Sequence, residues 1–258
     1  MQLVASSKLN RQRESMEANR EYAEAMQQLF DRIAGSAEAS SVWVKPAKDK
    51  PAYVFVLTSD MGLCGGYNAN ICRAVQDELS DKDLFVVVGN RGAQWFKSRP
   101  QYHVQSVLED LNDDDAYAAL AAHMERALEM YEAGEVSSIQ VLYTHYKNTL
   151  TFVPTLRQIL PVKLQPQPKQ SGHADTIFEP GKEAMVDSVM PLAAKSILYS
   201  LWLESRTSEQ ASRRMAMESA TDNANELQEQ LELEYNRIRQ GAITQEITEI
   251  VSGANALS

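Results

Sequence analysis

Residues 204–251 read ESRTSEQASRRMAMESATDNANELQEQLELEYNRIRQGAITQEITEIV. The stretch is rich in Ala, Glu, Gln, Leu and Arg, the residues that lose least on entering a helix. Apolar or small residues recur at Ala220, Ala224, Leu227, Leu231, Tyr235, Ile238 and Ala242, in steps of three or four that mark one helical face. From Ser188 to Val251 only Pro191 and Gly241 interrupt the pattern. At 1.5 Å per residue a helix from Leu192 to Ser252 would be about 90 Å long, against a radius of gyration of about 14 Å for a domain built from the remainder. Such a helix has to leave its own domain. A partly apolar helix that does so needs a partner, so the stretch points to assembly rather than catalysis.

A second long helix is expected at the other end of the chain. From Met1 to Ala34, the positions Ala5, Leu9, Gln12, Met16, Asn19, Ala23, Met26, Phe30 and Ile33 follow alternating steps of four and three, a heptad seam. The polar members Gln12 and Asn19 can set register and pairing. No N-cap residue, glycine or proline opens this helix, and its amphipathic face begins at once, so its first part is expected to be missing. Residues 35–51 lose the period and end in KPAKDKP, as an exposed linker does.

Between the helices the pattern changes. Tyr53–Thr58 (YVFVLT) reads as a buried strand, followed at once by the glycine-rich SDMGLCGGYN and a helix over Asn68–Leu79. Leu84–Gly89 is a second buried strand, Arg91–Ser98 a short helix, His103–Leu108 a strand and Asp113–Ala133 a helix. This alternation implies a parallel sheet with helices on its faces. Ile139–Tyr146 and Thr151–Leu160, joined by a short turn, add a hairpin, so the sheet is expected to be mixed. A proline-containing polar loop then returns to the long helix. The expected fold is α/β: a Rossmann-like mixed sheet domain (52–163) inserted between an N-terminal helix (1–34, followed by the linker 35–51) and a C-terminal helix (183–258, reached through the loop 164–182). The two terminal helices are expected to form an antiparallel coiled coil.

Composition narrows the function classes. With 35 acidic and 25 basic residues the net charge is −10, which argues against a general nucleic-acid binder and against adhesion to an anionic membrane surface. No run of eighteen apolar residues exists, so direct membrane insertion is not expected. Proteins are the expected partners. Cys64 and Cys72 lack CxxC spacing and suit a reduced compartment.

The loop holding Asp60, Gly62, Gly65 and Gly66 sits between a strand and a helix, where phosphate-binding loops are found. It has neither GxGxxG nor a closing Gly-Lys-Ser/Thr, so a structural loop is the better reading: a tight turn and close strand-to-helix packing. His103, His123, His145 and His173 are isolated, which gives no metal site. Asp113, Asp114 and Asp115 suit helix capping better than acid catalysis. No catalytic constellation and no cofactor site is expected.

Several segments together resemble one family. The N-terminal MQLVASSKL, TSDMGLCGGYNANI, the short IFEP (177–180) and, near the C-terminus, SEQASRRMAMESATDN and YNRIRQGAITQEITEIVSGANAL are similar, in this order along the chain, to the gamma subunit of F-type ATP synthases. The resemblance implies a rotor shaft made by the two terminal helices inside a hexamer of alpha and beta subunits. It also implies a foot domain meeting the epsilon subunit and the membrane rotor ring, peripheral on the cytoplasmic face of a bacterial inner membrane. It implies a subunit that is not itself a catalyst. By motif position, Arg239, Gln240, Thr244 and Glu246 would contact beta-subunit loops, Arg213 would face a lower acidic loop, and Phe178 and Glu179 would lie near the ring. Two other readings remain at this stage: a nucleotide-binding α/β enzyme with a helical arm, and a truncated paralogue acting as a coiled-coil adaptor. Calorimetry separates the enzyme reading from the others, because it requires saturable micromolar binding of ATP or NAD to the isolated chain; no such heat is expected.

Overall fold

The computed structural model describes residues 2–36, 42–43, 47, 49–162 and 182–256. Two compact units divide the chain, Met1–Met215 and Ala216–Ser258. The first unit holds a sheet of β1 (Ala52–Leu57), β2 (Leu84–Val88), β3 (His103–Leu108), β4 (Ser138–Asn148) and β5 (Thr151–Leu160). Its helices are α1 (Gln2–Ser36), α2 (Tyr67–Glu78), α3 (Asn90–Lys97) and α4 (Ala116–Glu132), and α5 (Lys182–Ala256) runs from this unit into the second. The strand order is β3-β2-β1-β4-β5. β1 pairs in parallel with β2 and β4, β2 in parallel with β3, and β5 closes the far edge antiparallel to β4. The expected mixed sheet is therefore present.

The near-continuous apolar runs of β1 and β2 have a plain cause, since both faces of these strands are covered. On one face Tyr53, Phe55, Leu57, Val86, Val88 and Val141 pack with Leu120, Met124 and Leu128 of α4 and with Met190, Ala194 and Leu198 of α5. On the other, Val54, Val56, Phe85, Val87 and Leu142 pack with Ile71 and Val75 of α2 and Phe96 of α3. Successive residues of β1 enter opposite cores because strand side chains alternate.

The heptad reading of α1 matches its burial. Ala5, Leu9, Gln12 and Met26 are buried and Met16, Asn19 and Ala23 half-buried, while most of the residues between are exposed. The side chains of Phe30 and Ile33 lie outside the described residues. Thr207 Oγ1 donates to the Gln12 carbonyl at 3.3 Å, and Tyr22 Oη lies 3.5 Å from Ser196 Oγ. Going up α1 from 12 to 22 thus goes down α5 from 207 to 196, which is antiparallel pairing.

Two details depart from expectation. Residues 35–51 were expected to be an exposed linker, yet Trp43 is 3% exposed, stacks on Tyr131 and donates its indole N–H to Asp187 Oδ1 at 2.9 Å. An indole buried with its N–H satisfied is an anchor. The aspartates before α4 were expected to cap it, but the N-cap Asp115 makes no side-chain capping bond. Asp113 instead accepts from Gln12 Nε2 at 3.1 and 3.3 Å and lies 3.9 Å from Arg11 Nη2, so its charge serves α1.

Leu120 is fully buried between the sheet and α5, so Leu120→Ala is expected to lower the stability of the first unit by about 2–5 kcal/mol in urea denaturation. A second expectation concerns alkaline pH. Burial raises the phenols of Tyr53, Tyr67 and Tyr199 above their ordinary value near 10, and pushes Tyr131 and Tyr143 up to about 12. The unfolded chain therefore releases these protons first. Their contribution is fully present below pH ~10 and is lost as the pH rises towards the folded values. A native titration followed at the phenolate absorbance should show these tyrosines ionising only as the chain unfolds.

Candidate functional site

In an open sheet of this order the crevice beyond the carboxyl ends of the strands, where crossovers leave to opposite faces, is the usual ligand site. Here that point lies between β1 and β4, and the glycine-rich loop borders it. The loop is held from within. Asp60 Oδ1 accepts from the Asn90 and Asp110 N–H groups, each at 3.1 Å, linking the turns that follow three strands. Asn68 Oδ1 accepts from Ser59 N at 3.0 Å, and Asn68 Nδ2 donates to Ser59 Oγ at 2.7 Å. Leu63 and Gly65 take left-handed φ values of 63° and 55°, and Gly66 is the N-cap of α2. A Cβ at Gly62 would fall 2.4 Å from Arg91 Nη2, so glycine here lets the guanidinium lie across the loop. Gly62 thus permits a close approach of a side chain.

What fills the crevice is α5. β4 runs on to Asn148, past Leu142, its last residue paired with β1, and the backbone there would face the core unpaired on that side. Ser205 Oγ accepts from Thr144 N at 3.3 Å, Ser208 Oγ donates to the Thr144 carbonyl at 2.9 Å, and Glu204 Oε1 accepts from Tyr146 N at 3.0 Å. His145 Nδ1 also meets Glu204 Oε1. Tyr67 Oη, at the start of α2, lies 2.7 Å from Ser205 Oγ. One turn further on, Ser212 Oγ donates to the Cys64 carbonyl at 2.7 Å, and Arg213 reaches the carbonyls of Met61 and Gly62 at 3.2–3.4 Å.

The segment 205–212 is thus enclosed almost all round, with Ser205, Thr207, Ser208, Glu209, Gln210 and Ser212 each no more than 5% exposed. Helices enclosed on every side are ordinarily apolar. This one carries a single apolar residue, Ala211, and pairs its Ser205, Ser208 and Ser212 hydroxyls with strand and loop backbone, while Gln210 Oε1 and Arg206 Nε are buried without a partner. The buried Glu209 carboxylate meets Arg213 Nη1 at 2.8 Å and Arg206 Nη1 at 3.4 Å. A crevice filled in this way leaves the nucleotide-binding reading without its usual place.

The expected contact residues fall apart in the structure. Arg213 is bonded within the chain, to Glu209 and the loop carbonyls. Arg239, Gln240, Thr244 and Glu246 are exposed on α5 in the second unit. Thr244 Oγ1 donates to the Gln240 carbonyl at 2.8 Å. On the same stretch Leu227, Leu231, Tyr235 and Ile238 are 56–65% exposed, so the apolar stripe is uncovered in the isolated chain. Phe178 and Glu179 lie outside the described residues. Ser205, Ser208 and Ser212 were not singled out from the sequence; their signal is a recurrence in steps of three and four, hidden because helical faces are sought in apolar residues. Cys64 and Cys72 are both buried and free, and burial pushes the Cys72 thiol up to about 11. Among the described residues no group of His, Cys, Asp and Glu could hold a metal, and no helix is long and apolar enough to cross a membrane.

A doubly wound domain whose switch point is closed by its own C-terminal helix, while that helix goes on with an uncovered apolar stripe, defines a shaft-bearing assembly subunit. The family model for ATP synthase matches residues 1–257. ATP synthase gamma chains from Clostridium acetobutylicum and Mycoplasma mobile are 39% and 37% identical, over 100% and 98% of this chain and 91% of each relative. The chain belongs to the ATP synthase gamma-chain family, whose members are subunits of the complex and not themselves its catalysts. The fold is similar to a central-stalk chain of the Tetrahymena thermophila mitochondrial ATP synthase, with a TM-score of 0.64 and 24% identity over 86% of this chain and 97% of that one. A chain of the Euglena gracilis mitochondrial ATP synthase gives 0.62 and 17% over 98% and 95%.

The buried ion pair gives a test of the site. Arg213→Ala leaves Glu209, 2% exposed, with only the longer contacts to Arg206 and Gln210, and an expected loss approaching about 3–5 kcal/mol in urea denaturation. Arg239→Ala, on the exposed part of α5, should stay within about 0.5 kcal/mol.

Proposed function

We infer that this chain is the central-stalk rotor subunit of an ion-translocating ATP synthase, carrying rotation between a membrane ring and a catalytic hexamer of alpha and beta subunits. The observation that carries the reading is the uncovered apolar stripe of α5, Leu227, Leu231, Tyr235 and Ile238, on a chain of the gamma family. In water such a stripe costs free energy at about 25 cal/mol per Å² of apolar surface, which burial inside a surrounding partner recovers. The α/β unit is the foot, meeting the epsilon subunit and the polar loops of the rotor ring, with Phe178 and Glu179 near the ring. Arg239, Gln240, Thr244 and Glu246 meet beta-subunit loops. Arg213, already bonded within its chain, presents only its small exposed edge to a lower acidic loop. The assembly is peripheral, at the cytoplasmic face of the inner membrane.

Mixing the purified chain with alpha and beta subunits from a bacterial relative should give a stoichiometric complex that hydrolyses ATP. No complex, even with a longer N-terminal helix grafted from that relative, would sink the reading. Arg239→Glu should lower the turnover of the complex several-fold, because a carboxylate cannot supply the guanidinium's donors. An unchanged rate removes Arg239 from the contact.

A further inference from the structure

The enclosed polar segment of α5 asks for a mechanical explanation. An apolar contact is non-directional: a helix held only by one can roll or slide by small amounts with little change in buried area. A hydrogen bond fixes distance and angle, and leaving a buried partner unmade is costly. Between Glu204 and Arg213, α5 makes directional bonds to two separated pieces of backbone: β4 at Thr144 and Tyr146, and the loop before α2 at Met61, Gly62 and Cys64. They arrive from Glu204, Ser205, Ser208, Ser212 and Arg213, spread along and around the helix. On the far side Thr207 Oγ1 lies 3.3 Å from the Gln12 carbonyl of α1, its one hydrogen shared with the nearer Leu203 carbonyl at 2.9 Å.

We propose that this polar collar locks α5 against rotation about its own axis, so that torque passes between the sheet unit and the helix through side-chain-to-backbone hydrogen bonds. Resting on the rotor reading above, the proposal assigns torsional stiffness to Ser205, Ser208 and Ser212. The apolar contacts of α5 lower down, at Met190, Ala194 and Leu198, hold the helix in place but resist rolling less. The collar stands where other folds of this order bind ligands, so a rigid, backbone-lined crevice has become a keyway for a helix.

The test uses the assembled complex, with the catalytic hexamer fixed to a surface, stalled with a non-hydrolysable nucleotide, and a bead attached to the sheet unit. Angular fluctuations of the bead report torsional stiffness. Ser205→Ala/Ser208→Ala/Ser212→Ala removes three hydroxyls with little change in volume and should raise the angular variance by at least about twofold, as buried partners lose their fixed geometry. The single variants Ser208→Ala and Ser212→Ala keep the measurement possible if the triple variant does not fold, and each should give a smaller rise. Leu120→Ala serves as the control for mere destabilisation: it should lower Tm and leave the variance as in the wild type. An unchanged variance in the serine variants overturns the lock, as does an equal rise in Leu120→Ala. ATP hydrolysis by the same wild-type preparation reports on the rotor reading separately, so a working complex with unaltered stiffness defeats the lock alone.

Discussion

Everything near the switch point follows from one constraint: buried backbone groups must be paired, and β4 is longer than its neighbour β1. Where β1 stops, the N–H and C=O of Thr144 and the N–H of Tyr146 have no strand on the β1 side. A further strand would have satisfied them and extended the sheet. A helix cannot, because its own backbone groups are used internally, so it has to offer side chains instead. Short hydroxyls and one carboxylate at Glu204, Ser205 and Ser208 are the residue types that reach and bond in this geometry. The chemistry of α5 in this turn is thus dictated by the strand it covers.

The same helix changes character along its length for the same kind of reason. Between Val186 and Leu203 it faces the open side of the sheet and is apolar there. Between Ser205 and Ser212 it crosses the ends of strands and loops, whose backbone demands polar partners. From Glu218 onward its described residues are exposed and its stripe is apolar again. Three environments along one helix leave three patterns in one sequence.

The fold was largely legible because its signals are periodic. The seam of α1 follows from steps of four and three, and the strands from short apolar runs bounded by turn residues. The site was less so. Ser205, Ser208 and Ser212 look, one by one, like any polar residue on a helix surface, and only the observation that β4 outruns β1 gives them a task. Trp43 and Asp113 were misjudged on the same ground. Each lies in a segment whose local composition says linker or cap, and each is claimed by a distant element, Asp187 of α5 or Gln12 of α1. Arg213 shows the limit from the other side, since a cation beside acids on a helix reads as outward-facing until the loop carbonyls it meets are placed.

One bond on the exposed part of α5 determines what a neighbour can offer there. The Thr244 hydroxyl has one hydrogen and directs it to the Gln240 carbonyl, so outward it presents only lone pairs. Arg239, on the adjoining turns, presents only hydrogens. A loop lying across both positions has to bring an acceptor to the first residue of this pair in chain order and a donor to the second. Reversed end for end, the same loop would set donor against donor and acceptor against acceptor. Polarity along the helix would therefore fix which way round a loop laid across it could lie.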